Sequence, residues 1–153
     1  EGVRERAAVA QTNLERYVGA WHARDPSAFV SLLAEDASFV MPPTPVWFHG
    51  KDAVAEFVAA RFREHAWQLR PTSANGLPAF GLYRAHPEGG HVAHGIQLLE
   101  LEGDRVRSIH TFLVMKDARL FATFGLPARL GAVGSPIAPA VASTDFVKSS
   151  GTV

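Results

Sequence analysis

Cysteine is absent from this 153-residue chain. Its absence removes disulfide staples, thiolate zinc sites and cysteine nucleophiles together. An excess of one charge is missing too, since fifteen Lys and Arg balance fifteen Asp and Glu. Gripping nucleic acid needs a basic face for phosphate, so no direct nucleic-acid partner is expected. No uncharged apolar run approaches the ~18 residues of a membrane span, and Glu1-Gly2-Val3-Arg4-Glu5-Arg6 does not read as a secretory signal. A cytoplasmic location without a membrane partner is therefore the default expectation. Also missing are a glycine-rich phosphate loop, a Gly-x-Ser-x-Gly elbow and a dinucleotide fingerprint. What remains is ordinary globular material, 47% apolar and 20% charged. A domain of this size buries roughly two-thirds of its unfolded surface, enough for a core with an internal pocket.

Periodicity supplies the elements. Ala10, Leu14, Tyr17, Val18 and Trp21 share one helical face, and that helix should stop near Arg24. Asp25-Pro26 reads as an N-cap followed by proline at the first helical position, opening a short helix that buries Phe29, Leu32 and Leu33. After Glu35-Asp36 the period becomes two, with Phe39 and Met41 on one side and Ser38 and Val40 on the other, until Pro42, Pro43 and Pro45 end the strand. Gly50 leads into a third helix carrying Val54, Phe57, Val58 and Phe62.

The second half reads as hairpins. Trp67–Ser73 and Leu77–Arg84 flank Asn75-Gly76, and His91–Leu101 and Arg105–Val114 flank Gly103-Asp104. Asp117 caps a short helix, Ala118–Phe124, closed by Gly125 in the left-handed region. Three helices followed by antiparallel hairpins predict an α+β fold with helices on one face of a curved sheet and a cavity between them.

Several separated segments then agree, in order, with a known family. Leu14-Glu15-Arg16-Tyr17-Val18, Arg24-Asp25, Leu33 to Phe39 and His49-Gly50-Lys51-Asp52-Ala53-Val54 resemble the SnoaL-like and ketosteroid-isomerase-like families of the nuclear-transport-factor-two superfamily. Met41 to Trp47, Ala74 to Phe80 and Leu120 to Pro127 are more narrowly similar to the SnoaL-like C-terminal domain of actinobacterial extracytoplasmic-function sigma factors. The resemblance runs from about Leu14 to Gly125. It implies a conical barrel, a curved and mainly antiparallel sheet wrapped around three N-terminal helices, with a hydrophobic small molecule as ligand and homodimers common. Residues 1–130 would form this small-molecule-binding domain and residues 131–153 an Ala/Gly/Pro-rich tail.

The resemblance also assigns roles. Tyr17 matches the tyrosine that donates to a developing oxyanion in the isomerases, and Gln97 stands where they carry an aspartic acid as second donor. The isomerases' base position holds Met41. The Asp–Arg–Asp set and water-orienting asparagine of the superfamily's epoxide hydrolases fall on Thr111, Leu82, Arg84 and again Met41. Both catalytic sets are broken, because methionine and threonine supply no titratable base. Arg84 is open to two placements, facing the cavity or exposed at the sheet edge.

Histidine is the remaining proton carrier. A two-residue Gly103-Asp104 turn pairs Glu102 with Arg105 and sets His110 opposite Gln97 on the pocket side; a three-residue turn pairs Leu101 with Arg105, brings Thr111 inward and sends His110 out. The resemblance favours the second, and His110 is carried as the third catalytic candidate beside Tyr17 and Gln97. His94 should face away from the pocket. His86, His91 and His94 straddle a Pro-Glu-Gly-Gly loop without a completing carboxylate, so neither metal nor cofactor is expected. Trp21, Phe39, Met41, Trp47, Phe57, Phe80, Leu82, Arg84, Ile109 and Thr111 are the candidate lining of the ligand site.

Two functions follow. One is a cofactor-independent enzyme, an isomerase, cyclase (polyketide cyclases being the family example) or hydrolase, acting on a hydrophobic carbonyl or epoxide compound. The other is a non-catalytic ligand-binding or regulatory domain. In the tail, Ile137, Val141, Phe146 and Val147 are expected to cover apolar surface of the barrel mouth or of a second subunit.

Overall fold

A computed structural model of the chain describes residues 2–74, 76–114 and 119–131. Helix α1 (Gly2–Ala23) buries Tyr17, Val18 and Trp21 along its apolar stripe. At its end Arg24 adopts a left-handed conformation (φ 53°), with Arg24 N–H donating to Trp21 O at 3.2 Å and Asp25 N–H to Ala20 O at 3.0 Å. This is a Schellman closure with arginine where glycine is usual. Asp25 then caps α2 (Pro26–Val30), its carboxylate accepting from Ala28 N–H at 3.2 Å. The two helix ends share so short a joint that α2 folds back on α1 and sets Phe29 against Tyr17 and Trp21. Helix α3 (Lys51–Glu64) contributes Val54, Val58 and Phe62 to the same core.

The strands are β1 (Leu33–Val40), β2 (Trp47–His49), β3 (Trp67–Ala74), β4 (Leu77–Ala85), β5 (His91–Glu102), β6 (Arg105–Leu113) and β7 (Arg129–Leu130), with α4 (Arg119–Thr123) between the last two. They form one mixed sheet in the order β2-β1-β6-β5-β4-β3, with β7 on β5. Only the β1–β6 pair is parallel among the described strands. The expected α+β class and the curved, mainly antiparallel sheet are present. The expected barrel is not closed, because β2 and β3 remain as separate edges.

Each face of the sheet has its own cluster. On the helix side, Tyr17, Trp21, Phe29, Phe39, Phe62, Phe80, Leu82, Leu99 and Ile109 pack together. Trp21 is the hub, edge-on to Phe62 (ring centroids 5.1 Å), Trp67 (5.5 Å) and Phe29 (6.2 Å). On the other side Tyr83, Ile96, Phe121 and Leu130 pack under α4. Strand β6 leaves β5 at Leu113, and β7 takes the vacated position beside His91 and Val92. Gly125 closes the segment after α4 at φ 71°, as its position suggested. The short strands β2 and β7 carry too few residues to show alternation. Asn75, Asp117 and the tail residues 132–153, with the docking expected of Ile137, Val141, Phe146 and Val147, lie outside the described residues.

Candidate functional site

Strand register sets the site. Phe80 on β4 pairs with Gln97 on β5, and Gln97 pairs with Thr111 on β6, so the three form one row across the sheet. Val40 on β1 pairs with His110, which brings Met41 level with Thr111 at the end of that row. Facing the row from α1, Tyr17 donates its hydroxyl to Gln97 Oε1 at 2.8 Å, and Gln97 Nε2 donates to Thr111 Oγ1 at 3.1 Å. Tyr17 and Gln97 are fully buried, and Phe80 stacks on Tyr17 at 5.9 Å. Burial pushes the Tyr17 phenol well above its ordinary range, so it remains a protonated donor.

The register is neither of the two simple alternatives. The turn is the two-residue one, with Glu102 opposite Arg105, yet Gln97 still meets Thr111. A bulge resolves this: Val106 faces Leu101 and Ser108 faces Glu100, leaving Arg107 as one extra residue in β6. Beyond it every side chain is on the face that a three-residue turn would have produced.

His110 accordingly does not join Tyr17 and Gln97. It lies on the opposite face with Ser108 and Glu100: Ser108 donates to the Glu100 carboxylate, His110 Nε2 stands 3.3 Å from Ser108 Oγ, and His110 and Glu100 are 3.7 Å apart. These groups line an open groove of about 330 Å³ together with Asp36, Ser38, His49 and Arg107. The Ser108 hydroxyl, aided by nearby His110 and Arg107, holds the Glu100 carboxyl below its ordinary range.

Trp47 also leaves the predicted lining. It is 63% exposed and stands with His49 on the outer face, while its neighbour Phe48 turns inward onto Phe57 at 4.4 Å. Trp21, Phe39, Leu82 and Ile109 are buried wall residues of the core, and Phe57 is half-buried against Phe39 and Phe48. Met41 is partly buried against the same cluster.

Arg84 faces inward, directly opposite Trp67 of β3, rather than standing at an exposed edge. His94 departs from expectation. A second bulge separates the Leu82–Gly95 and Tyr83–Ala93 pairs, and His94 is its extra residue. Its ring turns onto the edge of Trp67, with centroids 5.1 Å apart. Burial, with Arg84, His65 and Arg61 nearby, lowers its pKa to about 4. Gly95 was the available signal, since an isolated glycine within a strand marks a bulge or a close approach. A Cβ there would lie 2.9 Å from Phe112 O and 3.0 Å from Thr111 Cγ2. Arg61 and His65, which share this neighbourhood, carried no signal of their own in the sequence.

Comparison with known proteins agrees with this geometry. Residues 14–109 match the model of the SnoaL-like domain family. The chain is 32% identical over 124 residues to the ECF RNA polymerase sigma factor SigG of Mycobacterium tuberculosis; the match covers 79% of this chain and 32% of SigG, so the chain spans about a third of that relative. Among solved structures, an NTF2-like protein of unknown function from Mesorhizobium loti superposes with a TM-score of 0.60 at 18% identity, covering 71% of this chain and 93% of its own. A candidate ketosteroid isomerase from Kribbella flavida superposes with a TM-score of 0.55 at 21% identity, covering 69% and 78%. The segments Leu14 to Val18 and Leu33 to Phe39, the helix-backed curved sheet and the family match point the same way: this chain belongs to the SnoaL-like family.

Proposed function

We propose that the chain is a small-molecule-binding SnoaL-like domain that holds a hydrophobic ligand through a carbonyl or epoxide oxygen. The supporting observation is an excess of donors in an otherwise apolar interior. Tyr17, Gln97 and Thr111 bring one phenolic, two amide and one hydroxyl hydrogen. Two are used, Tyr17 on Gln97 and Gln97 on Thr111. The second Gln97 amide hydrogen and the Thr111 hydroxyl make no further hydrogen bond among the described residues. Buried donors are nearly always paired, so an incoming acceptor oxygen is the complement this row lacks. The test compares 2-decalone with decalin by calorimetric titration. One hydrogen bond gained should favour the ketone about tenfold, or 1.4 kcal/mol; equal binding would remove the reading.

Catalysis is the second reading, supported by Tyr17 and Gln97 standing at the two oxyanion-donor positions of the resemblance. As an isomerase, cyclase or hydrolase, the domain would polarise the oxygen with these two groups. Water or the substrate itself would carry the proton, since Met41 and Thr111 are no bases and His110 lies on the far face. Similarity to SigG supports a regulatory use of the same ligand site, as one domain of a longer polypeptide. A homodimer is proposed as well. Its support is the outer sheet face, where Trp47, Val46 and Phe112 are exposed beside the Asp36, Glu100, His49, Arg107 and His110 groove, a surface carrying both charges and so complementary to a second copy.

A further inference from the structure

At the other end of the helix-facing side, two arginines and two histidines gather around Trp67. Arg84 stands opposite Trp67 in register, and His94 and His65 both pack edge-on against its ring, at 5.1 and 5.7 Å. Arg61 receives the Trp67 indole N–H on its backbone oxygen at 3.1 Å and lays its guanidinium over Phe57 at 4.8 Å. The Nε atoms of both Arg61 and Arg84 are buried without a hydrogen-bond acceptor. Among the described residues the one carboxylate bonded to this group is Glu64, which Arg61 holds at 2.8 Å on its own helix; Arg84 has no ion pair. Arg84, Arg61, His94 and His65 are each partly exposed, so solutes reach them although the two Nε atoms are buried.

We infer that Arg84, Arg61 and His94, arranged around Trp67, form a receptor for an oxyanion group, a carboxylate or phosphate. A planar guanidinium offers paired N–H donors whose spacing matches the oxygens of these anions. Neutral His94 adds a donor on one ring nitrogen, and the indole edge of Trp67 keeps water from one side. From Trp67 the aromatic path runs inward to Trp21 at 5.5 Å and on to Tyr17 at 6.3 Å. An amphipathic acid with its head at Arg84 would direct its apolar body along these rings toward the donor row. Only this last step rests on the proposed ligand-binding function. Capture of the anion stands apart from it.

Nuclear magnetic resonance titration of the whole chain with inorganic phosphate, acetate and octanoate tests the inference, observing the Arg84 Nε–Hε resonance and the His94 ring protons. Each anion should move both sets of signals with millimolar affinity and raise the His94 pKa, and added sodium chloride should weaken the binding. Arg84→Gln should lower affinity at least tenfold, and Arg84→Lys should keep part of it. Octanoate binding more tightly than acetate, with the excess sensitive to Tyr17→Phe, would join head and row in one ligand. Equal affinities would assign the site to free small anions. If phosphate, acetate and octanoate all leave Arg84 and His94 unmoved up to about 10 mM, the inference fails. The 2-decalone comparison is unaffected by that outcome.

Discussion

Thr111 stands opposite Gln97 because Arg107 is an extra residue in β6. The turn at Gly103-Asp104 by itself would set His110 there. A bulge of one residue, midway between turn and site, therefore decides whether the interior row ends in a hydroxyl or an imidazole. Deleting Arg107 should force a choice between flipping the buried set Ile109 and Thr111 outward and breaking the hairpin. The expected outcome is a loss of more than about 3 kcal/mol in urea unfolding, well beyond a surface change. Arg107→Ala, which keeps the bulge, should stay within about 0.5 kcal/mol.

The Tyr17–Gln97 bond lies in the core, so removing the hydroxyl strands the Gln97 carbonyl oxygen. Tyr17→Phe should cost about 1–2 kcal/mol and Gln97→Met a comparable amount. The double variant should cost less than the sum, with a coupling of about 1 kcal/mol in a thermodynamic cycle. Additive losses would mean that the two groups do not act as a pair.

Stability should fall on mild acidification. His22 Nε2 accepts the Leu69 backbone N–H at 3.0 Å, a bond that only the neutral ring makes, and burial, with His91 and Arg70 nearby, lowers its pKa to about 4. His94 is lowered to about 4 by burial and neighbouring cations. Both are neutral bases in the fold that protonate more readily once unfolded. Between the unfolded value of 6.5 and the folded value near 4 the unfolded state binds more protons, so stability rises with pH across that window and levels off above it. Melting temperature measured from pH 4 to 8 should show this slope. His22→Gln should shallow it.

Among the described residues, Trp47 and Phe112 are the two large aromatic residues exposed on the outer face. If that face seats a second copy, Trp47→Asp should convert a dimer to a monomer in analytical ultracentrifugation with little change in unfolding free energy per chain at low protein concentration. A wild-type chain that is monomeric at high micromolar concentration would remove the proposal.

Much of the fold was legible because helix and strand periods differ sharply in this sequence. Asp25-Pro26, Gly103-Asp104 and Gly125 mark their caps and turns by local chemistry alone. The two bulges were not legible in the same way. Alternation reports a face only within an uninterrupted strand, and one extra residue, Arg107 or His94, inverts everything beyond it without altering the pattern on either side. That is why Thr111 and Gln97 came together as the resemblance implied while His94 turned inward. Trp47 shows another limit. An aromatic residue in a three-residue strand has no periodic context, and its neighbour Phe48 took the inward place.

The most direct measurement is the affinity for 2-decalone and for decalin, by calorimetry, in the wild type, Tyr17→Phe and Gln97→Met. The expected result is an approximately tenfold preference for the ketone that shrinks towards unity in both variants, as a loss of about 1.4 kcal/mol of oxygen-specific binding. Equal affinity for the two compounds in the wild type, or a ketone preference untouched by either substitution, would contradict a ligand held by its oxygen at the Tyr17–Gln97–Thr111 row.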